Sequence, residues 1–291
     1  MSASRFLITG ASGQLGRLVI DGLLKTVPAS QIGVLVRSDN AAAEFAGRGL
    51  HVHKGDYSRP ATLTTAFAGV DRALLISSSE IGQRAVQHRN AIEAAKHSGV
   101  KLLAYTSLLH ADTSPLGLAD EHRQTEAALK ASGVPYALLR NGWYTENYAA
   151  SIPAALAHGV MLGSAGSGRI ASAARADYAE AAAKVLTADA PQAGRIYELA
   201  GDAPYTLAEF AAELSRQSGK SVDYQNLPEA EYKAALVSAG QPEPFAALLA
   251  DSDAGAAKGA LDDSSGELGR LIGRPTTPLA ATIAAALAAP R

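Results

Sequence analysis

Three glycines stand three residues apart in Gly10-Ala11-Ser12-Gly13-Gln14-Leu15-Gly16. The four residues before them, Phe6-Leu7-Ile8-Thr9, have strand character, and Leu15, Leu18, Val19, Gly22 and Leu23 recur at helical spacing after them. A strand, a tight turn and a helix in that order suit anion chemistry. Gly10 lets the strand turn sharply, Gly13 lets the main chain approach an anion without a Cβ in the way, and Gly16 lets the helix pack against the sheet. Free N–H groups at the helix start then face the anion. Together these residues predict a cradle for the pyrophosphate of a dinucleotide.

The next strand, Ile32 to Val36, ends at Arg37, about twenty residues past the cradle, where an NAD site usually carries Asp or Glu for the ribose hydroxyls. A cation there suits a 2′-phosphate, so NADPH is the expected cofactor. Asp56, at the end of the strand Leu50–Lys54, either meets the adenine or serves the turn it stands in. Ser77, Ser78 and Ser79 end a fourth strand, and small residues there let a cofactor lie close. Thr106, Asn141, Gly142 and Trp143, at the ends of the fifth and sixth strands, complete the expected cofactor set. His51 and His53 share a strand face, but no third ligand stands nearby and no metal is expected.

Such residues need a scaffold that brings strand ends to one edge. Strands are predicted at 6–9, 32–36, 50–54, 72–76, 101–106 and 136–140, with helices between them. One helix starts with Pro60 in its first turn and turns Leu63 and Phe67 inward; another runs from Gln83 to Ser98 with Ala85, Val86, Ile92 and Ala95 for the core; a third covers Ala119–Ser132. This alternation predicts an α/β fold, a Rossmann-type doubly wound parallel sheet. The later residues are less regular: a helix over 176–186, a strand over 195–199, a capping box from Thr206 to Glu209, a short strand near 221–225, helices over 228–238 and 242–249, and a last helix after Thr277-Pro278. They predict a smaller, partly discontinuous C-terminal α+β domain for the substrate. The expected division is 1–148, joined by a helix and strand from 168–200, against 149–167 and 201–291.

Composition narrows the class. In 291 residues, 47% are hydrophobic and 26 basic residues nearly balance 28 acidic ones, so neither a nucleic-acid partner nor an anionic membrane surface is indicated. No apolar run approaches the ~18 residues that insertion in a bilayer requires. Met1–Arg5 lead straight into a core strand and leave no room for a signal peptide, so a cytoplasmic location is expected. The absence of cysteine excludes disulfides, thiol nucleophiles and thiolate metal sites.

Longer runs carry a resemblance. Ile8–Gly16, Leu75–Glu80, Ala104–Asp112, Leu139–Tyr144 and Ser172–Tyr178 resemble the NmrA-like, atypical short-chain dehydrogenase group, and within it the type 2 NAD(P)H:quinone oxidoreductases of bacteria. The resemblance spans nearly the whole chain. It implies NADPH in the glycine cradle, Arg37 near its 2′-phosphate, and a small-molecule quinone in the cleft below the second half. It leaves a homo-oligomer open.

One departure bears on mechanism. Typical short-chain dehydrogenases carry Tyr-x-x-x-Lys on the helix after the fifth strand; aligned on Glu126, this chain has Leu118 and His122 at those places. A ketone needs an acid to protonate a basic alkoxide, whereas hydride addition to a quinone gives a weakly basic phenolate-like anion that takes its proton from water. Positioning then dominates. Tyr144 and Asn147 are the candidates for hydrogen bonds to the quinone oxygens, His122 for a proton donor, and Arg175 for a substrate or phosphate contact. The alternative from a different class is an NADP(H)-sensing regulatory protein without turnover, since the NmrA-like group includes such members. A nucleotide-sugar reductase or epimerase is disfavoured by the missing acid-base tyrosine.

Overall fold

The computed structural model describes residues 5–289, and its chain divides into two compact units. The opening residues 1–4, on which the signal-peptide expectation mainly rests, lie outside the described residues. Among the described residues, the first unit comprises 5–111, 120–141 and 175–198, and the second 112–119, 142–174 and 199–289.

In the first unit, strands and helices alternate: β1 (Phe6–Ile8), α1 (Gln14–Leu23), β2 (Ile32–Val36), α2 (Asp39–Gly47), β3 (His51–Lys54), α3 (Pro60–Phe67), β4 (Arg72–Leu75), α4 (Arg84–His97), β5 (Leu102–Leu108), α5 (Ala119–Ser132) and β6 (Tyr136–Asn141). The sheet order is β3-β2-β1-β4-β5-β6, with β8 (Ile196–Leu199) as the seventh strand. The five pairings from β3 through β6 are all parallel, as the alternation predicts. Chain order reverses between β1 and β4, the topological switch point at which open α/β sheets hold their ligands.

Strands buried on both sides read as continuous apolar runs, and β2 and β5 are buried throughout. Leu63 and Phe67 of α3, Ala91, Ile92 and Ala95 of α4 and Leu129 of α5 meet Leu7, Leu75, Leu103 and Leu138 of the strands in one core. On α1 the buried stripe includes Ile20 and leaves Leu18 half-buried. One expected core position is overturned. Val86 is 56% exposed, Ala85 is half-buried, and Arg84, Gln87 and His88 take the inward face of α4 instead. Each of the three hydrogen-bonds a segment that follows β3 or β4, described below, which an apolar Val86 cannot do.

The second unit holds α6 (Thr145–Ala149), α7 (Ile152–His158), β7 (Val160–Gly163), α9 (Leu207–Ser218), β9 (Asp223–Asn226), α10 (Glu229–Ser238), α11 (Glu243–Ala256), α12 (Glu267–Ile272) and α13 (Leu279–Ala288); α8 (Arg175–Thr187) belongs to the first. β7 and β9 form a two-stranded parallel sheet. The predicted capping box opens α9: Thr206 N–H donates to Glu209 Oε2 at 2.7 Å and Glu209 N–H to Thr206 Oγ1 at 3.1 Å. The expected division is shifted. Residues 112–119 join the second unit because Gly117 N–H bonds Asp251 Oδ2 of α11 at 2.9 Å. Residues 142–148 join it because Gly142 N–H bonds Leu199 O at 2.7 Å and Thr145 N–H bonds Ala173 O at 3.0 Å. No helix among the described residues is long and apolar enough to cross a membrane.

Candidate cofactor site

The glycine turn follows β1 directly. Gly10 has φ +59°, the left-handed region open to glycine, and the Cβ it lacks would stand 3.2 Å from Ile76 Cβ, just past β4. Gly16 serves differently from expectation. Its missing Cβ would meet Gly10 O at 2.5 Å and Ala11 Cα at 2.8 Å, so this glycine lets α1 pack onto the turn itself rather than onto the sheet. Gly13 is the N-cap of α1, no side chain caps that end, and its first turn has no acidic residue, which leaves an electropositive helix start beside the turn.

Thr9 stitches the switch point together. Its hydroxyl donates to Leu74 O at 2.9 Å and accepts from Ile76 N–H at 3.1 Å. Tyr57, unremarked in the sequence, donates to Ile76 O at 2.8 Å and lies 2.5 Å from Thr9 Oγ1, and burial raises its pKa. Its neighbour Asp56 accepts Ser58 N–H at 2.8 Å, the turn role, while standing 3.9 Å from Arg37 Nη1. Arg37 is 66% exposed at the end of β2 and pairs with Glu80 at 2.7 Å.

Ser77, Ser78 and Ser79 follow β4. Thr106 Oγ1 accepts Ser77 N–H at 2.9 Å, so Thr106 braces that segment. Ser78 is held from behind by α4: His88 Nε2 accepts its N–H at 2.9 Å, and Arg84 Nε donates to its carbonyl. Gln87 Nε2 donates to Glu80 Oε2 at 2.8 Å and to Ser58 Oγ at 3.1 Å. This polar face escaped sequence analysis. The signal was present, since 84, 87 and 88 share one helical face and the run Gln83–Asn90 offers little apolar surface.

Beneath β5 and β6, Glu126 of α5 and Arg140 form a buried ion pair at 2.8 Å, extended by Ser107 Oγ to Glu126 Oε1 at 2.6 Å and Arg140 to Glu198 at 2.7 Å. These bonds raise the Arg140 pKa, Glu126 first. Asn141, one residue further on, is 5% exposed, and its Oδ1 has no hydrogen-bond partner among the described residues. A buried acceptor left open at the end of a strand is a place for a ligand N–H.

His122 does not join the edge as an acid. It is buried with Nδ1 2.7 Å from Tyr105 Oη, and burial with the nearby Arg84 charge lowers its pKa to about 3. At neutral pH it carries no proton to give as an imidazolium, contrary to the expectation of a proton donor. Leu118 lies in the turn before α5. Arg175, half-buried, opens α8 in the first unit.

In the second unit, Gly142, Trp143, Tyr144 and Asn147 lie on one short stretch. Ala173 N–H donates to Trp143 O at 3.1 Å, Tyr144 forms a parallel bridge with Ala173, and Asn147 N–H donates to Tyr144 O at 3.0 Å. The Trp143 ring is buried with its centroid 6.4 Å from that of Tyr148, while Tyr144 and Asn147 are half-buried. No group of three or more His, Asp or Glu able to hold a metal occurs among the described residues.

A family model described as NAD(P)H-binding matches residues 10–189. Quinone oxidoreductase 2 of Escherichia coli (strain K12) is 61% identical over 95% of this chain and 96% of its own length. The chain belongs to the NmrA-like NAD(P)H-binding family. A crystal structure of an NADPH-dependent quinone oxidoreductase from Escherichia coli, complexed with NADPH, superposes with TM-score 0.94 at 60% identity, covering 97% of this chain and 99% of that one. Triphenylmethane reductase of Citrobacter sp., complexed with NADP(H), superposes with TM-score 0.92 at 41% identity over 97% and 99%. The family's nucleotide fits the residues of this chain: an uncapped helix start behind a glycine turn, a cation after β2, and the open acceptor of Asn141.

Proposed function

We infer that the chain is an NADPH-dependent quinone oxidoreductase. Near-full-length likeness to a quinone oxidoreductase, and to the structure of an NADPH-dependent one complexed with NADPH, carries the reading, with the glycine turn and Arg37 as its local support. When bound, NADPH supplies two electrons and a hydrogen as hydride, and the quinone with one further proton leaves as a hydroquinone. The turn at Gly10–Gly16, with Ala11, Ser12, Gln14 and Leu15, holds the pyrophosphate; Arg37 holds the 2′-phosphate; Ser77–Ser79, Thr106, Asn141, Gly142 and Trp143 line the remainder. Asp56 stands beside Arg37 and completes that end.

Tyr144 and Asn147 orient the quinone by hydrogen bonds to its oxygens, and Arg175 serves the substrate end. With His122 neutral and buried, water supplies the proton. Positioning is therefore what these side chains contribute. The first unit serves the nucleotide and most of the second serves the acceptor. A cytoplasmic location goes with this reading, and cell fractionation tests it.

Turnover tests the reaction. NADPH absorbance should fall when a benzoquinone is added to the enzyme, with one hydroquinone formed per NADPH consumed. Asn147→Ala should lower kcat by about tenfold or more, the scale of one positioned hydrogen bond, and leave NADPH affinity nearly unchanged. Nucleotide binding without acceptor-dependent oxidation would instead identify a sensor.

A further inference from the structure

Nothing in Ser77-Ser78-Ser79 can anchor that segment by apolar packing, because three small polar side chains bury little surface. Its backbone is held by side chains instead. We propose that the buried polar face of α4 is a positioning device for the cofactor edge, with His88 as its principal positioning residue.

His88 is fully buried and makes two directed contacts. Its Nε2 accepts Ser78 N–H at 2.9 Å, and its Nδ1 lies 3.0 Å from Thr125 Oγ1 on α5. Thr125 Oγ1 in turn donates to Glu121 O at 2.8 Å. The order of donors fixes the tautomer. Ser78 requires an acceptor at Nε2, so the ring proton is on Nδ1 and is given to Thr125, whose own proton is committed to Glu121. An imidazolium would set N–H against N–H. Burial and the Arg84 charge lower the His88 pKa to about 3, in keeping with the neutral ring. The ring also sits between Tyr57 and Tyr105, with centroids 6.1 and 5.3 Å away.

The neighbours on the same face complete the hold. Arg84 takes the Ser78 carbonyl, so both sides of this residue are tied, and Ser78 Oγ accepts Glu80 N–H at 3.1 Å. Gln87 reaches the Glu80 carboxylate that pairs with Arg37. Packing alone does not require such a face. An apolar face would bury without leaving Arg84 Nη1 and Gln87 Oε1 unpartnered, as both are among the described residues. The gain lies in direction: a hydrogen-bonded backbone is held at a defined height under a ligand, where packing would permit it to slide.

The role in cofactor binding rests on NADPH lying over these strand ends; the hold on Ser78 does not. Two variants and two readouts separate them. His88→Leu fills the space without an acceptor, and His88→Gln can accept from Ser78 and donate to Thr125 through one carboxamide. By amide hydrogen exchange, Ser78 N–H should exchange about tenfold faster or more in His88→Leu and return to within about threefold of the wild-type rate in His88→Gln. By fluorescence titration, NADPH Kd should rise about tenfold in His88→Leu and recover in His88→Gln, with kcat at saturation within about twofold throughout. Unchanged exchange and Kd in His88→Leu would overturn the proposal. So would a parallel fall of melting temperature, kcat and affinity in both variants, which marks a merely structural histidine. Were wild-type protein not to bind NADPH at all, the functional reading would fall, and the exchange rates would still decide whether His88 holds Ser78.

Discussion

Two borders of the proposed nucleotide edge are built on opposite plans. The turn at Gly10–Gly16 is made of backbone: a positive φ at Gly10, an approach at Gly16 too close for any Cβ, and a helix start without a capping side chain. The border at Ser77–Ser79 is made of side chains reaching in from elsewhere, Thr106 on β5 and Arg84 and His88 on α4. A backbone cradle tolerates almost no change, because the neighbour that must yield is main chain. A border held by side chains can lose one support and keep the others.

The largest effect should therefore come from Gly16→Ala. Its Cβ would meet the turn's own carbonyl and Cα, and we expect more than about 3 kcal/mol of lost stability by urea unfolding, together with loss of measurable NADPH binding. Wild-type behaviour would mean that the turn can move and would erase the contrast.

The second unit offers a buried anchor of the side-chain kind that can be titrated. Asp253 Oδ1 accepts the Tyr148 hydroxyl at 2.8 Å and Oδ2 accepts Ser164 N–H at 2.9 Å, and burial raises its pKa from 3.8 to about 6. The folded chain keeps this proton in a range where the unfolded chain has lost it. Its contribution is complete below the unfolded value and lost as pH rises through the folded one. Unfolding of wild type and Asp253→Asn, compared from pH 4 to 6, should show the variant's deficit narrowing by up to about 3 kcal/mol. A deficit independent of pH would remove the raised pKa.

Arg37→Asp comes next. It removes the proposed charged donor to the 2′-phosphate and adds repulsion, so NADPH affinity should fall about thirtyfold, about 2 kcal/mol, and NADH affinity much less. Equal losses for both nucleotides would release Arg37 from its role. The smallest effect belongs to Glu80→Gln. If Arg37 takes the 2′-phosphate as proposed, its exposed pair with Glu80 must give way, and such a pair is worth under about 1 kcal/mol. NADPH should bind up to about threefold tighter to this variant, and weaker binding would make Glu80 a supporter of the phosphate rather than its competitor.

The same contrast decides what could be read in advance. Glycine spacing, parallel-strand runs and the Thr206–Glu209 box are local patterns, and each led to the element found. Helix α2, capped by Ser38, and strand β7, which pairs with β9 across distant sequence, lie outside what those patterns predict. Val86 reads as core in the sequence, as an apolar residue in a helix does, and lies outside because Arg84, Gln87 and His88 take the inward face through hydrogen bonds to the segments after β3 and β4. Tyr57 gives no local signal beside Asp56, because its partners, Thr9 and Ile76, are 48 and 19 residues away. His122 stands out in the sequence by its place in a motif, whereas its burial against Tyr105, which lowers its pKa to about 3, depends on the fold.

Titration calorimetry of the intact protein with NADPH and with NADH tests the cofactor edge most directly. NADPH should bind one per chain and at least about tenfold more tightly than NADH, as one charge-assisted contact to the 2′-phosphate implies. Absence of heat with folded protein, or equal affinity for the two nucleotides, would contradict it.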